Sequence, residues 1–190
     1  MSQPLRARVR YPYRLSALLA GLCLFVSGLV FAPQAQAAGV LDVTCTPPSS
    51  AVASYSPALT NSPQPVAATI SYQFGPCVSL AAPAVTSGTA TVTNPVRDRS
   101  CLDLLTGGRT TFTITWNTGQ TSTLSLNFNT TVAGAVLEVV LTGTVTSGLF
   151  QGDTVVMDQT GPATSVLLCT LGLGTVPSIY TAVTLEITSL

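Results

Sequence analysis

The stretch TFTITWNTGQTSTLSLNFN, residues 111–129 of a 190-residue chain, alternates on both sides of Gly119. One row is apolar and the other carries hydroxyls and amides. A period of two marks a half-buried strand. Two such runs about Asn117-Thr118-Gly119 spell a hairpin with a three-residue loop and Gly119 in the left-handed position. Residues opposite one another in an antiparallel pair point to the same side, so the register can be tested by parity. With that loop Trp116 opposes Gln120 and Phe112 opposes Leu124. Phe112, Ile114, Trp116, Leu124, Leu126 and Phe128 then share one face, and Thr111, Thr113, Thr115, Thr121, Thr123 and Ser125 share the other. A two-residue loop would break this sorting. Threonine on the outer row supports the strand through its β-branched shape and keeps the face soluble without charge.

The same chemistry extends along the chain in both directions. Thr, Val and Ile alternate with small polar residues, and Gly, Pro and Asn punctuate at short intervals. Strands are expected near 40–45, 50–57, 66–74, 87–93, 110–116, 120–128, 134–146, 154–157, 163–169 and 180–188, an all-β pattern in a single domain over 38–190. One helical turn interrupts it. SCLDLLTGG (100–108) offers Ser100 as N-cap, Asp103 three residues on, and Gly107 as a stop. That turn would hang Cys101 on a crossover between two sheets.

At the N-terminus, Arg6, Arg8, Arg10 and Arg14 precede the apolar run LSALLAGLCLFVSGLVF, and Ala35-Gln36-Ala37 forms a small-x-small cleavage site. This reads as a secretory signal peptide over 1–37, with a mature chain from about Ala38 and a secreted, extracellular or cell-wall-associated destination. A membrane anchor is the competing reading, because the run is nearly long enough to span. Without the four leading arginines, Arg97, Arg99 and Arg109 stand against seven acids, a net charge of −4, with no lysine or histidine. So few cations make a poor phosphate binder, which excludes nucleic acid and, after cleavage, anionic membranes as partners.

Cys23 falls in the leader, leaving Cys45, Cys77, Cys101 and Cys169, an even number in an exported chain. Four cysteines allow three pairings. A long hairpin folded about Asn61 places Cys45 opposite Cys77, each sixteen positions from the centre, and Cys101–Cys169 follows by elimination. Each closed loop would stabilise the fold by roughly 4 kcal/mol in the chain-entropy model. Zinc is disfavoured because no C-x-x-C pair and no histidine exist. No D-x-D-x-D run suggests calcium, and no metal or cofactor is expected.

The absence of histidine from the chain removes Ser-His-Asp and Cys-His chemistry, so an enzyme is not expected. A glycan hydrolase working with carboxylates alone would need a facing pair such as Asp153 with Asp158 or Asp98 with Asp103. The only charge cluster is Arg97, Asp98, Arg99 and Asp103 beside Cys101, a candidate recognition edge, against the plainer reading of helix caps and internal pairs. TVVMDQT (154–160) is a second candidate. As an exposed loop it would present Met157 to a protease cleft, as an inhibitor does, and as an ordinary connection it would bury Met157 in the core.

The segments SYSPALT, YQFGPC, RSCLDLL, TWNTGQTSTLSLN and TGTVTSGLFQGDTVV, with the four cysteines, resemble small secreted β-sandwich proteins of filamentous actinobacteria that carry no established activity. More distantly, such proteins are similar to the adaptor subunit of umbrella toxin particles. The resemblance implies an immunoglobulin-like antiparallel β-sandwich. The resulting expectation is a non-enzymatic binding or structural module that engages an extracellular protein or cell-wall glycan through loops and edge strands.

Overall fold

The computed structural model describes residues 41–189, so the signal-peptide reading of 1–37 lies outside the described residues. Ten strands follow in order: β1 (Leu41–Cys45), β2 (Ser50–Leu59), β3 (Gln64–Phe74), β4 (Cys77–Ser79), β5 (Gly88–Arg99), β6 (Gly108–Trp116), β7 (Thr121–Ala133), β8 (Val136–Gly148), β9 (Thr154–Pro162) and β10 (Val176–Thr188). A 3-10 turn (Cys101–Leu105) joins β5 to β6, and helix α1 (Thr164–Thr170) joins β9 to β10.

The β6–β7 hairpin has the expected register. Phe112 pairs with Leu124, the Trp116 amide donates to the Gln120 carbonyl at 2.9 Å, and Gly119 has φ +82°. Phe112, Ile114, Trp116, Leu124 and Leu126 are buried and Phe128 is half-buried, while the threonine row faces solvent. Trp116 is 2 % exposed, and its indole N–H donates to Ser122 Oγ at 2.8 Å. That hydroxyl in turn donates to the Leu149 carbonyl at 2.6 Å. The one polar atom of the ring is thereby satisfied inside an apolar cluster, as a buried indole requires.

The strands do not divide into the two sheets of an immunoglobulin-like sandwich. Each strand of the ring β2-β3-β5-β6-β7-β8-β9-β10 pairs antiparallel with its predecessor, and β10 pairs back onto β2, closing eight strands into a barrel. Closure depends on the thirteen-residue β10. Its first half pairs with β2, from Val176 to Ala182, and its second half pairs with β9 on one side and β1 on the other. Tight hairpins join β2 to β3, β6 to β7 and β7 to β8, longer connections, including those through β4, the 3-10 turn and α1, complete the order, and an antiparallel run of eight strands is enough to meet itself.

Both disulfides join the expected partners, Cys45–Cys77 and Cys101–Cys169. The first is reached by a less direct route than one long hairpin. Ser50 pairs with Gln73 on β2–β3, a register in which Cys45 would oppose Val78, but the chain shifts by one residue before β1 and β4 pair and sets Cys45 opposite Cys77. The segment expected as a strand near 163–169 is α1. Ala163, Val166 and Cys169 are all 0 % exposed at a spacing of three, which is a helical stripe and not a strand's alternation. Gly172, at φ +74°, ends the helix.

Two apolar clusters fill the two ends. The larger gathers Trp116, Ile114, Leu124, Val145, Val155 and Leu185 with Cys45–Cys77. The smaller, at the end carrying α1 and the 3-10 turn, gathers Leu59, Val66, Leu137, Val166 and Val176 with Cys101–Cys169.

Candidate functional site

The ring is weakest between β5 and β6, which pair only at Gly88 with Trp116 and Thr89 with Thr115. Beyond Thr89 the strands part, and the 3-10 turn fills the crossover between their far ends. A bulge on β5 decides what faces this opening. Ala68 pairs with Asn94, but Val66 pairs with Arg97, so two residues, Pro95 and Val96, oppose the single Ala67. Val66 is wholly buried, and its partner Arg97 and the next alternate residue, Arg99, lie on that same inward side. A one-residue slip exchanges the faces of a strand. Without the bulge Asp98 would point inward and both arginines outward.

Behind the opening lies a cavity of ≈ 430 Å³ within the barrel. It exists because the wall there is built from small residues. Ala51, Ala53 and Ala68 line it on β2 and β3, where the Cys45–Cys77 end of the barrel carries Trp116 and Ile114. The rest of the lining is aliphatic and aromatic, including Leu59, Ile70, Phe128 and Leu141. Gly108 at the rim is required by the close approach of Phe128, whose ring would lie 2.9 Å from an added Cβ. Eight-stranded barrels have room for close-packed side chains or one small ligand.

The polar groups around this cavity are mostly donors. Gln159 Nε2 donates to the Tyr72 hydroxyl at 3.4 Å, and the Thr181 hydroxyl donates to Gln159 Oε1 at 3.3 Å. Tyr72 stacks on Phe112 with ring centroids 5.0 Å apart, and burial pushes its phenol above the usual range. Tyr55 also lines the cavity, its pKa pushed up to about 12 by burial, partly offset by Arg99. Both phenols therefore keep their protons at neutral pH.

Arg97 and Arg99 line the cavity, and Arg109 borders it from β6, where its side chain alternates with the inward Phe112 and Ile114 and so lies on the outer row beside Asn127. Arg109 Nε donates to Asn127 Oδ1 at 2.9 Å. Arg99 Nη2 reaches the Pro95 carbonyl at 3.5 Å, and Arg99 Nε is buried without a hydrogen-bond partner. Burial, then Arg97, holds the Arg99 pKa below its ordinary value, against opposing contributions from Tyr55 and Asp103. Asp103 is at the rim too, with Oδ2 accepting from the Ser100 N–H at 2.7 Å and the Ser100 hydroxyl at 3.1 Å.

Of the residues singled out from sequence, Arg97, Arg99 and Asp103 thus converge on one opening, with Asp103 also acting as the helix cap of the plainer reading. Asp98 is exposed on the outer face. Met157 is corrected as a binding candidate: β9 turns Val155, Met157 and Gln159 inward, and Met157 is 0 % exposed in the core. The suggested Asp153–Asp158 pair also fails, because Asp158 alternates with those inward residues and so points outward. Asp153 instead adjoins Asp42, and burial, then Asp42, raises the Asp153 carboxyl above the usual range. Sequence reasoning missed Tyr55, Tyr72, Gln159 and Thr181. The alanines at alternate positions of SAVASY and VAATISY were the available signal of an unfilled interior, and Pro95 was the signal of the bulge.

Among the described residues no group of three or more His, Cys, Asp or Glu could hold a metal ion, and no helix is long and apolar enough to cross a membrane. No family model matches the chain, and neither the curated proteins nor the solved structures include a significant match.

Proposed function

We propose that this chain is a secreted, non-enzymatic binding module that takes a small molecule with an apolar body into the barrel through the gap between β5 and β6. The observation that carries this reading is the ≈ 430 Å³ cavity, walled by alanines, apolar side chains and two tyrosines and opening where the ring is barely paired. Its volume falls within the range of about 300–1,000 Å³ typical of small-molecule sites, and its lining combines an apolar body with a few polar groups, as such sites do. Barrel closure pairs most strand edges, which moves the expected binding surface from edge strands to the interior and its rim. Docking of an extracellular protein or cell-wall component, including the adaptor role suggested by resemblance, would then use the rim. Two disulfides and the resemblance to secreted β proteins support the extracellular placement.

The test uses the neutral fluorophore N-phenyl-1-naphthylamine with the protein and its Ala68→Phe variant, which fills the cavity from the β3 wall. The parent should enhance the dye's emission saturably with one site. The variant should melt within a few degrees of the parent and lose that enhancement. No enhancement with the parent, or equal enhancement with a folded variant, rejects the reading.

A further inference from the structure

We infer that the cavity selects a carboxylate with an apolar tail, held head-outward by Arg97 and Arg99, an inference that rests on the binding role proposed above. The argument is an inventory of donors and acceptors. Arginine offers donors and no acceptor, and Arg97 and Arg99, two of the described chain's three arginines, are brought together at this rim. Like charges brought together oppose folding unless something compensates them. The compensation within the protein is small. Asp103 is the one acid of the lining, and its Oδ2 is taken up by the Ser100 cap.

Deeper in, the imbalance persists. The Tyr72 hydroxyl accepts from Gln159, which leaves its own proton to give, and Tyr55 brings a second O–H that stays protonated to a pH of about 12. Arg99 Nε is buried with no acceptor. A buried donor without a partner costs stability, so a site that holds one beside two phenol O–H groups is matched to a ligand that supplies acceptor atoms. Two guanidinium groups against one carboxylate, itself engaged by the cap, favour an anion. The planar fork of arginine fits a carboxylate at two points. The alanine and leucine wall behind the rim suits a hydrocarbon body, because it offers apolar area and few polar partners. The β5 bulge is the device that makes the site, since it turns Arg97 and Arg99 toward the cavity and Asp98 away.

The experiment compares three probes with one chain and different heads, octanoate, octanol and octylammonium, each displacing N-phenyl-1-naphthylamine at neutral pH and low salt. Octanoate should displace the dye at concentrations at least tenfold lower than octanol, with octylammonium the weakest. Arg97→Ala with Arg99→Ala should bring octanoate to within about twofold of octanol and leave octanol unchanged. Added salt should weaken octanoate alone. If octanol matches octanoate in the parent, or the double variant binds octanoate as the parent does, the inference fails while the cavity's binding role stands. If the dye itself does not bind, both fail together.

Discussion

The two ends of the barrel are each fastened by a disulfide inside an apolar cluster, yet only the end with Cys101–Cys169 borders a hollow. Around Cys45–Cys77 the inward rows carry Trp116, Phe74 and Ile114, and the indole N–H among them has a partner. On the way to Cys101–Cys169 the inward rows carry Ala51, Ala53 and Ala68, with the Arg99 Nε donor left over. Both regions obey the same alternation. What differs is side-chain volume at the inward positions, so the period of a strand tells which way it faces, and the sizes along it tell whether that face packs or leaves a site.

The largest expected effect lies at the filled end. Trp116→Ala should lower stability by about 3–5 kcal/mol, because it removes a buried ring on Phe150 together with its hydrogen bond to Ser122. Urea unfolding of parent and variant measures this directly. A loss of under 1 kcal/mol would mean that this end is no better packed than the other, and the comparison would collapse.

That face was legible in the sequence because the hairpin contains its own check. A three-residue loop sorts Phe112, Ile114 and Trp116 with Leu124 and Leu126, and a two-residue loop does not. The cysteine pairing was legible for a similar reason, symmetry about Asn61, even though the chain shifts register between β2 and β1. Barrel closure was not legible, since it depends on β10 being long enough to pair with both β2 and β9, a non-local property that no window of residues displays. Helix α1 was misread because TSVLLC offers apolar residues compatible with either period, and docking against Cys101 settles the choice. The charge cluster was visible, but its convergence on a cavity required the bulge.

A smaller effect separates the two disulfides by function. Replacing Cys101 and Cys169 together with serine should cost about 2–4 kcal/mol, the usual range for a native bridge of this kind. Replacing Cys45 and Cys77 should cost a similar amount. The two double variants should differ in dye binding. Loss of Cys101–Cys169 frees the 3-10 turn that carries Asp103 and Leu104 of the rim, so binding of N-phenyl-1-naphthylamine should weaken severalfold in the folded variant. Loss of Cys45–Cys77 should leave binding near the parent's. Equal weakening in both would place the site's rigidity in the whole barrel and not in its crossover.

The smallest expected effect is at the hollow end, and its sign is the informative part. Arg99→Met keeps an unbranched stem to pack against the wall and removes the charge with the unpartnered Nε. Burial and Arg97 make the protonated guanidinium less favourable in the folded chain than in the unfolded one, which is what a lowered pKa means for a base. That penalty is present in full at every pH where Arg99 is charged in both states, and it disappears only as pH rises above its folded pKa. Between pH 6 and 8 it is therefore constant. The variant should melt at or slightly above the parent, by an amount that does not change across that range and within about 0.5 kcal/mol of stability. A fall in Tm of several degrees would identify Arg99 as a peg holding β5 to the crossover. A Tm that holds or rises marks the residue as one whose charge is kept at a cost to the fold, as expected where the group serves a ligand and not the core.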